Sequence, residues 1–403
     1  MTLSFNIEKF IGENITHRSE SLFTSDLQRF NEDLIQEIEG KKVLVIGGAG
    51  TIGSSYIRAL VKYMPSKLIV VDINENGLTE LVRDCRSRKD TPLPKDFKTY
   101  PVNFNDQVFT KMFKQEGPFD IVANFAAHKH VRSEKDIFSI EAMIDNNVIR
   151  AKGLLDLLLQ YPPKHFFCVS TDKAANPVNV MGASKKLMEE VILAYSEKIK
   201  ITTARFANVA FSNGSLLAGF IERVLKQQPL SCPSDVKRFF VSPEESGQIC
   251  LCACILGKSG EIFFPKLEEE AMVKFADVIE PFLKNIGYEM EVCTSEEEAR
   301  NATKKIEEGK YPVYLFSSNT SGEKMYEEFY TELEELDMDT YEAFGVVKNA
   351  DRRKIEELNQ VIDNLKAVFD SENAEKKDIV KALSNMIPGF EHIETGLGLD
   401  QKM

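Results

Sequence analysis

The sequence predicts an α/β protein: a doubly wound parallel sheet, a smaller mixed α/β lobe, and helical extensions at both ends. Three observations predict it. The apolar run 43–46 leads into Gly47-Gly48-Ala49-Gly50-Thr51-Ile52-Gly53 and then a helical stretch. A second apolar run, 68–71, ends in Asp72, 19 residues after Gly53. Strand and helix signals then alternate to residue 204, the pattern of parallel strands joined by crossover helices.

Residues 1–39 form an N-terminal extension. Leu22, Phe23, Leu27, Phe30, Leu34, Ile35 and Ile38 are spaced for one apolar helical face, which would pack on the body or on a second subunit. Residues 40–210 form a Rossmann-type dinucleotide-binding domain, with a return segment at about 238–262. Gly48, Gly50 and Gly53 make a G-x-G-x-x-G in strand–turn–helix context. The first glycine permits the tight turn, the second lets a pyrophosphate approach, and the third lets helix and strand pack closely. The helix N-terminus adds free N–H groups for the phosphates. Gly47, Gly50, Thr51, Ile52 and Gly53 are the expected contacts.

Asp72 is placed to accept hydrogen bonds from the adenosine ribose. Ile73-Asn74-Glu75 follows, with no Arg ready for a 2′-phosphate, so the expected cofactor is NAD and not NADP. A strand at 99–102 precedes Asn103 and Phe104. Another at 121–125 precedes Ala126, Ala127, His128, Lys129 and His130. A long helix carries Asn146 and Asn147, and a strand at 166–169 opens onto Ser170. Ligands of such sheets sit beyond the carboxyl ends of strands. Asn103, Phe104, Ala126, Ala127 and Ser170 are therefore expected around the cofactor, and Asn147 is expected there too.

That same edge carries the chemistry. Thr171, Asp172 and Lys173 offer a hydroxyl, a carboxylic acid and an amine in succession, and the next helix places Met181 and Lys185 four apart on one face. Past residue 204 the alternation weakens. Residues 211–345 form the substrate lobe, with a turn at 211–215, a helix from 216 and a strand at 311–316. Ser242 reads as an N-cap with Pro243 at the first helical position. Residues 346–403 form a charged helical C-terminal extension.

The net charge is −13, which argues against nucleic acid or an anionic membrane as the main partner. No apolar run is long enough to span a membrane, and the first residues lack a secretory signal, so a cytoplasmic protein is expected. Cys250, Cys252 and Cys254 lie two apart in one helical run and cannot share a face. They read as core packing, and His128 and His130 as pocket-shaping residues, with no metal site.

Several blocks resemble one family: 47–53, 126–131, Asn146-Asn147-Val148, 170–177, 179–185, 205–209, 212–215, 238–240 and 322–328. Together they resemble the extended short-chain dehydrogenase/reductase superfamily. Within it they are similar to the UDP-N-acetylglucosamine 4,6-dehydratases of the CapD-like polysaccharide-biosynthesis group. The resemblance implies a cytoplasmic hydro-lyase of bacterial surface-glycan synthesis. It would oxidise C4 of UDP-N-acetylglucosamine, eliminate water across C5 and C6, and return the hydride to C6. NAD would be tightly bound and regenerated each cycle.

By the same resemblance Lys185 contacts the nicotinamide ribose and Thr171 the C4 oxygen. Asp172 is the acid for the C6 hydroxyl and Lys173 the base at C5. Lys129, His130, Asn208, Ser215, Arg238 and Glu323 would hold the UDP-sugar. Most of the superfamily has Tyr where this chain has Met181, and Met in that place goes with retention at C5. Departures are Thr320-Ser321 for Arg-Pro, Asn213 for Arg, Ala207 for Gly and Arg132 for Pro. The superfamily also suggests a homo-oligomer, paired through helices at 143–159 and 180–195. The competing readings are an NAD-dependent 4-epimerase or 4-keto reductase, and a non-catalytic NAD-binding scaffold.

Overall fold

The computed structural model describes residues 5–129, 134, 136–318 and 328–392. Nine strands form the main sheet: β1 (Lys42–Ile46), β2 (Lys67–Val71), β3 (Asp96–Tyr100), β4 (Ile121–Asn124), β5 (His165–Val169), β6 (Ile201–Ala204), β7 (Ile262–Pro265), β8 (Leu336–Asp337) and β9 (Phe344–Val347). Their order is β8-β9-β7-β6-β5-β4-β1-β2-β3. All pairings from β3 to β7 are parallel. β9 runs antiparallel to both β7 and β8. Chain progression reverses between β1 and β4, and that switch point opens the crevice where such sheets bind ligands.

The central strands are covered on both faces, which is why they read as continuous apolar runs. β3 begins three residues earlier than its apolar signal. It is an edge strand whose charges are tied down by pairing, with Lys67 2.6 Å and Lys98 2.9 Å from Glu116.

Helix α1 (Thr51–Val61) follows β1, and α2 (Ile137–Ile144) and α3 (Arg150–Gln160) follow β4. A π-helical turn, Asp145–Ile149, joins α2 to α3. Helix α4 (Val180–Ala194) follows β5, and α5 (Pro243–Leu256) precedes β7. Ser242 caps α5 in a capping box with Glu245, as its Ser-Pro start predicts. Glu245 also accepts from Arg18 and from the Leu22 amide, so the N-terminal extension is anchored on that cap. α1 and α5 meet at backbone distance: a Cβ on Gly247 would lie 2.3 Å from the Ser55 carbonyl. Cys250, Cys252 and Cys254 are buried in α5.

The apolar stretch at 22–38 folds as two short helices, Thr24–Arg29 and Asn31–Ile38, not one, behind a first helix Ile7–Ile11 and a π-helical turn Gly12–Thr16. The break at Phe30 turns Ile35 outward, while Phe23, Leu34 and Ile38 stay buried. Phe23 stacks on Phe344 of β9 at 4.3 Å. The buried Asp26 carboxylate accepts from the amides of Glu342 and Ala343.

The smaller lobe holds a three-stranded parallel sheet of Leu230–Pro233, Glu289–Cys293 and Lys310–Phe316. It has its own core, to which Phe10, Ile11 and Ile15 of the N-terminal extension contribute. β8 and β9 fall mostly within the span that sequence assigns to this lobe, yet they pair in the main sheet. Helices α6 (Ile355–Phe369) and α7 (Lys376–Met386) form a hairpin against α4 and α2. Among the described residues no helix is long and apolar enough to cross a membrane.

Candidate active site

The glycine loop opens at the switch point between β1 and β4. Its tight turn falls at Gly47, with φ +74, and not at Gly48 as the motif spacing suggests. A Cβ on Gly47 would sit 2.5 Å from the amide nitrogen of Ala126, so the glycine loop and the loop after β4 touch. A Cβ on Gly53 would fall 2.4 Å from the Gly47 carbonyl oxygen, while one on Gly50 would meet nothing nearer than 3.5 Å. Gly50 therefore faces open space at the N-terminus of α1, the geometry a pyrophosphate needs.

Asp72 ends β2 on the same edge. Its Oδ2 accepts from the Ala49 amide at 3.0 Å and its Oδ1 from the Asn74 amide at 2.9 Å. The carboxylate is thus oriented by the loop it serves, with acceptor capacity left for hydroxyl donors. Asn103 turns its side-chain oxygen to the Asn105 amide, and Phe104 is buried below it. Ala126 and Ala127 are half-buried at the mouth. Thr51 Oγ1 accepts from the Asn213 amide at 2.9 Å, linking α1 to the first turn of the lobe. Ile52 is half-buried and packs on the main core. These residues fit a dinucleotide without an adenosine 2′-phosphate. Asp72→Ala is expected to weaken NAD binding by roughly tenfold or more, the loss of one or two charge-assisted hydrogen bonds, as titration calorimetry would read.

The cluster after β5 comes together closely. Thr171 Oγ1 donates to Asp172 Oδ1 at 2.7 Å, and the same oxygen accepts from the Lys173 amide at 2.9 Å and Lys173 Nζ at 3.0 Å. Asp172 is 3 % exposed and begins a 3₁₀ turn that Lys173 and Ala174 complete. Asn179 then caps α4 by accepting from the Gly182 amide. On the first two turns of α4 stand Met181 and Lys185, both buried. Lys185 Nζ donates to the Val169 carbonyl at 3.0 Å and lies 3.4 Å from the sulfur of Met188. Burial pushes the Lys185 ammonium below its ordinary value, and the Glu189 carboxylate acts in the opposite direction.

Two expected cofactor contacts spend their polar atoms inside the protein. Asn147, in the π-helical turn, accepts from the His128 amide and donates to the His128 carbonyl and to Ser184. It fixes the loop after β4 against α4. Ser170 donates to Glu189 at 2.6 Å. Both side chains thereby tie this edge of the sheet to α4.

Of the expected sugar contacts, Lys129 is exposed beside the mouth, and Asn208 lies on a short strand paired with Phe240 and Val241. Ser215 caps the helix Leu216–Leu225. Arg238 is 7 % exposed, and its guanidinium donates to the Lys237 carbonyl. His130, Arg132, Thr320 and Glu323 lie outside the described residues.

Sequence reasoning gave no role to a buried trio behind the cluster. Arg205, fully buried after β6, makes paired hydrogen bonds with Glu189 of α4 at 2.8–2.9 Å and with Glu334 at 2.8–2.9 Å. Burial alone would raise the Glu189 carboxyl, but the guanidinium outweighs it and holds Glu189 below the carboxylate range. Nothing in the local pattern around residue 334 announces a partner for a residue at 205. Glu134 was also missed: its Oε1 accepts from the Met181 amide at 2.8 Å.

The family model described as polysaccharide biosynthesis protein matches residues 43–349. The chain belongs to the polysaccharide biosynthesis protein family. An uncharacterized membrane protein of Methanocaldococcus jannaschii is 31% identical to this family member over 88% of this chain and 99% of its own. A UDP-N-acetylglucosamine 4,6-dehydratase (inverting) of Campylobacter jejuni is 26% identical over 61% of this chain and 73% of its own. The chain spans only 46% of another relative, the probable polysaccharide biosynthesis protein EpsC of Bacillus subtilis, at 29% identity over 73% of this chain.

Among solved structures, Pen from Bacillus thuringiensis superposes with a TM-score of 0.63 at 20% identity, over 81% of this chain and 98% of that one. A UDP-glucuronic acid 4-epimerase from Bacillus cereus, solved with UDP-glucuronic acid and NAD, superposes with a TM-score of 0.53 at 18% identity, over 71% and 89%. These likenesses establish a Rossmann-like fold for this polysaccharide biosynthesis family member.

Proposed function

We propose that the chain is an NAD-dependent nucleotide-sugar 4,6-dehydratase. It would convert UDP-N-acetylglucosamine to UDP-2-acetamido-2,6-dideoxy-4-keto-hexose and water, with C5 configuration retained. One observation carries the reading: a Thr171–Asp172–Lys173 cluster joined at a single carboxylate oxygen, beside a helix whose Met181 cannot move a proton. An alcohol oxidation alone has no use for Asp172 and Lys173 together. An elimination needs both an acid and a base.

The glycine loop, Asp72 and Lys185 would hold NAD. When bound, NAD supplies the hydride acceptor for C4 and the hydride donor for C6. The chain's own residues do the rest. Thr171 orients the C4 oxygen. The 3.0 Å contact between Lys173 and Asp172 lets one proton pass from ammonium to carboxylate. That single transfer turns an ion pair into a neutral acid and a free amine, the two forms elimination requires. Asp172 then protonates the departing C6 hydroxyl and Lys173 removes the C5 proton; Lys173 returns a proton to C5 as hydride reaches C6, and the C4 hydroxyl proton, relayed through Thr171, replaces the one Asp172 gave up. Lys129, Asn208, Ser215 and Arg238 are the UDP-sugar contacts on the described part of the cleft. The Campylobacter jejuni enzymes bear the word inverting in their own names, and Met181 is the ground for separating this chain from them.

Incubation of the purified chain with UDP-N-acetylglucosamine is expected to give a product lighter by one water, with no net change in nicotinamide absorbance. A product of unchanged mass, epimerised at C4, would sink the dehydratase reading and favour the epimerase.

A further inference from the structure

Helix α4 carries Met181 and Lys185, and between Val180 and Leu193 every residue except Lys186 is buried. A helix buried all round keeps no face for solvent, so something must cover the side turned from the sheet. The C-terminal extension does so. Leu358 and Leu365 of α6 and Ile379 and Leu383 of α7 are each 0% exposed and share the main core with Val191 and Ile192.

The extension grips α4 at two places. Arg353, just ahead of α6, donates to the buried Glu190 carboxylate of α4 and to the Met386 carbonyl at the end of α7. One guanidinium thus ties both ends of the hairpin to the helix. Farther on, Phe390 and His392 are also buried, their rings in contact. His392 Nε2 lies 3.5 Å from Glu134 Oε2, while Glu134 Oε1 takes the Met181 N–H at 2.8 Å. Met181 is the second residue of α4, where the helix supplies no acceptor for the N–H. Glu134 is that acceptor, and the His392 ring packs against it at 3.5 Å, with no hydrogen bond from Nε2 among the described residues.

We infer that the C-terminal extension is a clamp on the active-site helix, with Arg353 and, through Glu134, His392 as positioning residues for Met181 and Lys185. The clamp would act whatever sugar the site takes. It also closes the α4 face within one chain, so two copies would not pair through it.

Hydrogen exchange of the full chain tests this without turnover. In Arg353→Gln and in His392→Gln, the Met181 amide should exchange at least about tenfold faster, a local opening, while β1 and β4 amides keep their rates. The charge swap Arg353→Glu with Glu190→Arg should restore protection lost in Arg353→Glu. Unchanged Met181 exchange in both single variants would overturn the clamp. If Arg353→Gln loosens β1 as well, His392→Gln, near the chain end, decides alone. Lysine cross-linking of isotopically distinct copies adds a second reading: Lys186 should link to Lys354 within one copy, and a Lys186–Lys186 link between copies would overturn the closed face. On UDP-N-acetylglucosamine the variants should lose kcat with KM unchanged. Absence of turnover in the wild type would count against the dehydratase reading alone, since exchange and cross-linking still decide the clamp.

Discussion

Lys173→Met should lower turnover of UDP-N-acetylglucosamine by roughly 10²–10⁴-fold, the usual worth of a positioned proton-transfer group. It should also abolish exchange of the C5 proton with deuterated solvent. Methionine keeps much of the side chain's length and apolar character and removes only the amine. Lys173 is partly shielded and bound to Asp172 at 3.0 Å, so its loss also leaves the buried carboxylate without that cation. Asp172→Asn makes the companion test. It removes both the acid and the oxygen that takes the Lys173 proton but leaves the amine, so water loss should stop while C5–H exchange is slowed rather than abolished. Mass spectrometry of the sugar in deuterated buffer separates the two outcomes. Exchange at the wild-type rate in Lys173→Met would show that another group takes the proton.

Arg205→Ala should destabilise the fold by about 3–5 kcal/mol, the cost of leaving buried charge unpaired. Arg205 lies between two carboxylates, with Glu189 at 1% and Glu334 at 9% side-chain exposure. Together they carry a net charge of −1, and the alanine variant would leave −2 in the same volume. The sign of this imbalance gives a sharper expectation. Glu334→Gln leaves a neutral Arg205–Glu189 pair and should cost far less than Arg205→Ala, by urea unfolding of the two variants. An equal loss would mean that hydrogen-bond geometry, not charge, holds the trio. Because Glu189 also accepts from Ser170, Arg205→Ala should disturb Thr171 and Asp172 too.

Much of this was legible in the sequence because it is local. Strand–turn–helix around Gly47–Gly53, the Ser-Pro start of α5 and the Asn179 cap are set by residues within a few positions of one another. The apolar runs of β1, β2, β4 and β5 follow from burial on two faces. What escaped was long-range. Asn147 and Ser170 stood where a cofactor contact is expected, but their side chains are satisfied by His128, Ser184 and Glu189. The pairing of Arg205 with Glu334 spans 129 positions, and no periodicity encodes it. β3 was displaced because ion pairs, not apolar residues, hold an edge strand. Phe30 broke an apolar face that looked continuous, since the partner of that face, β9, is more than three hundred residues away.

β9 has a consequence for the birth of the molecule. Its residues, Phe344–Val347, are translated after all three strands of the smaller lobe's sheet, yet they pair with β7 inside the main sheet and receive Phe23, while Asp26 takes the amides of Glu342 and Ala343 just before them. A growing chain can therefore assemble the parallel strands early, but β7 keeps an open edge until residues 344–347 have been made. Exposed edges of this kind invite misassembly. Phe23 and the Thr24–Arg29 helix lack this part of their seat until that strand arrives. Nascent chains halted before Phe344 should stay protease-sensitive at residues 23–30, and those released beyond Val347 should acquire resistance there in a single step.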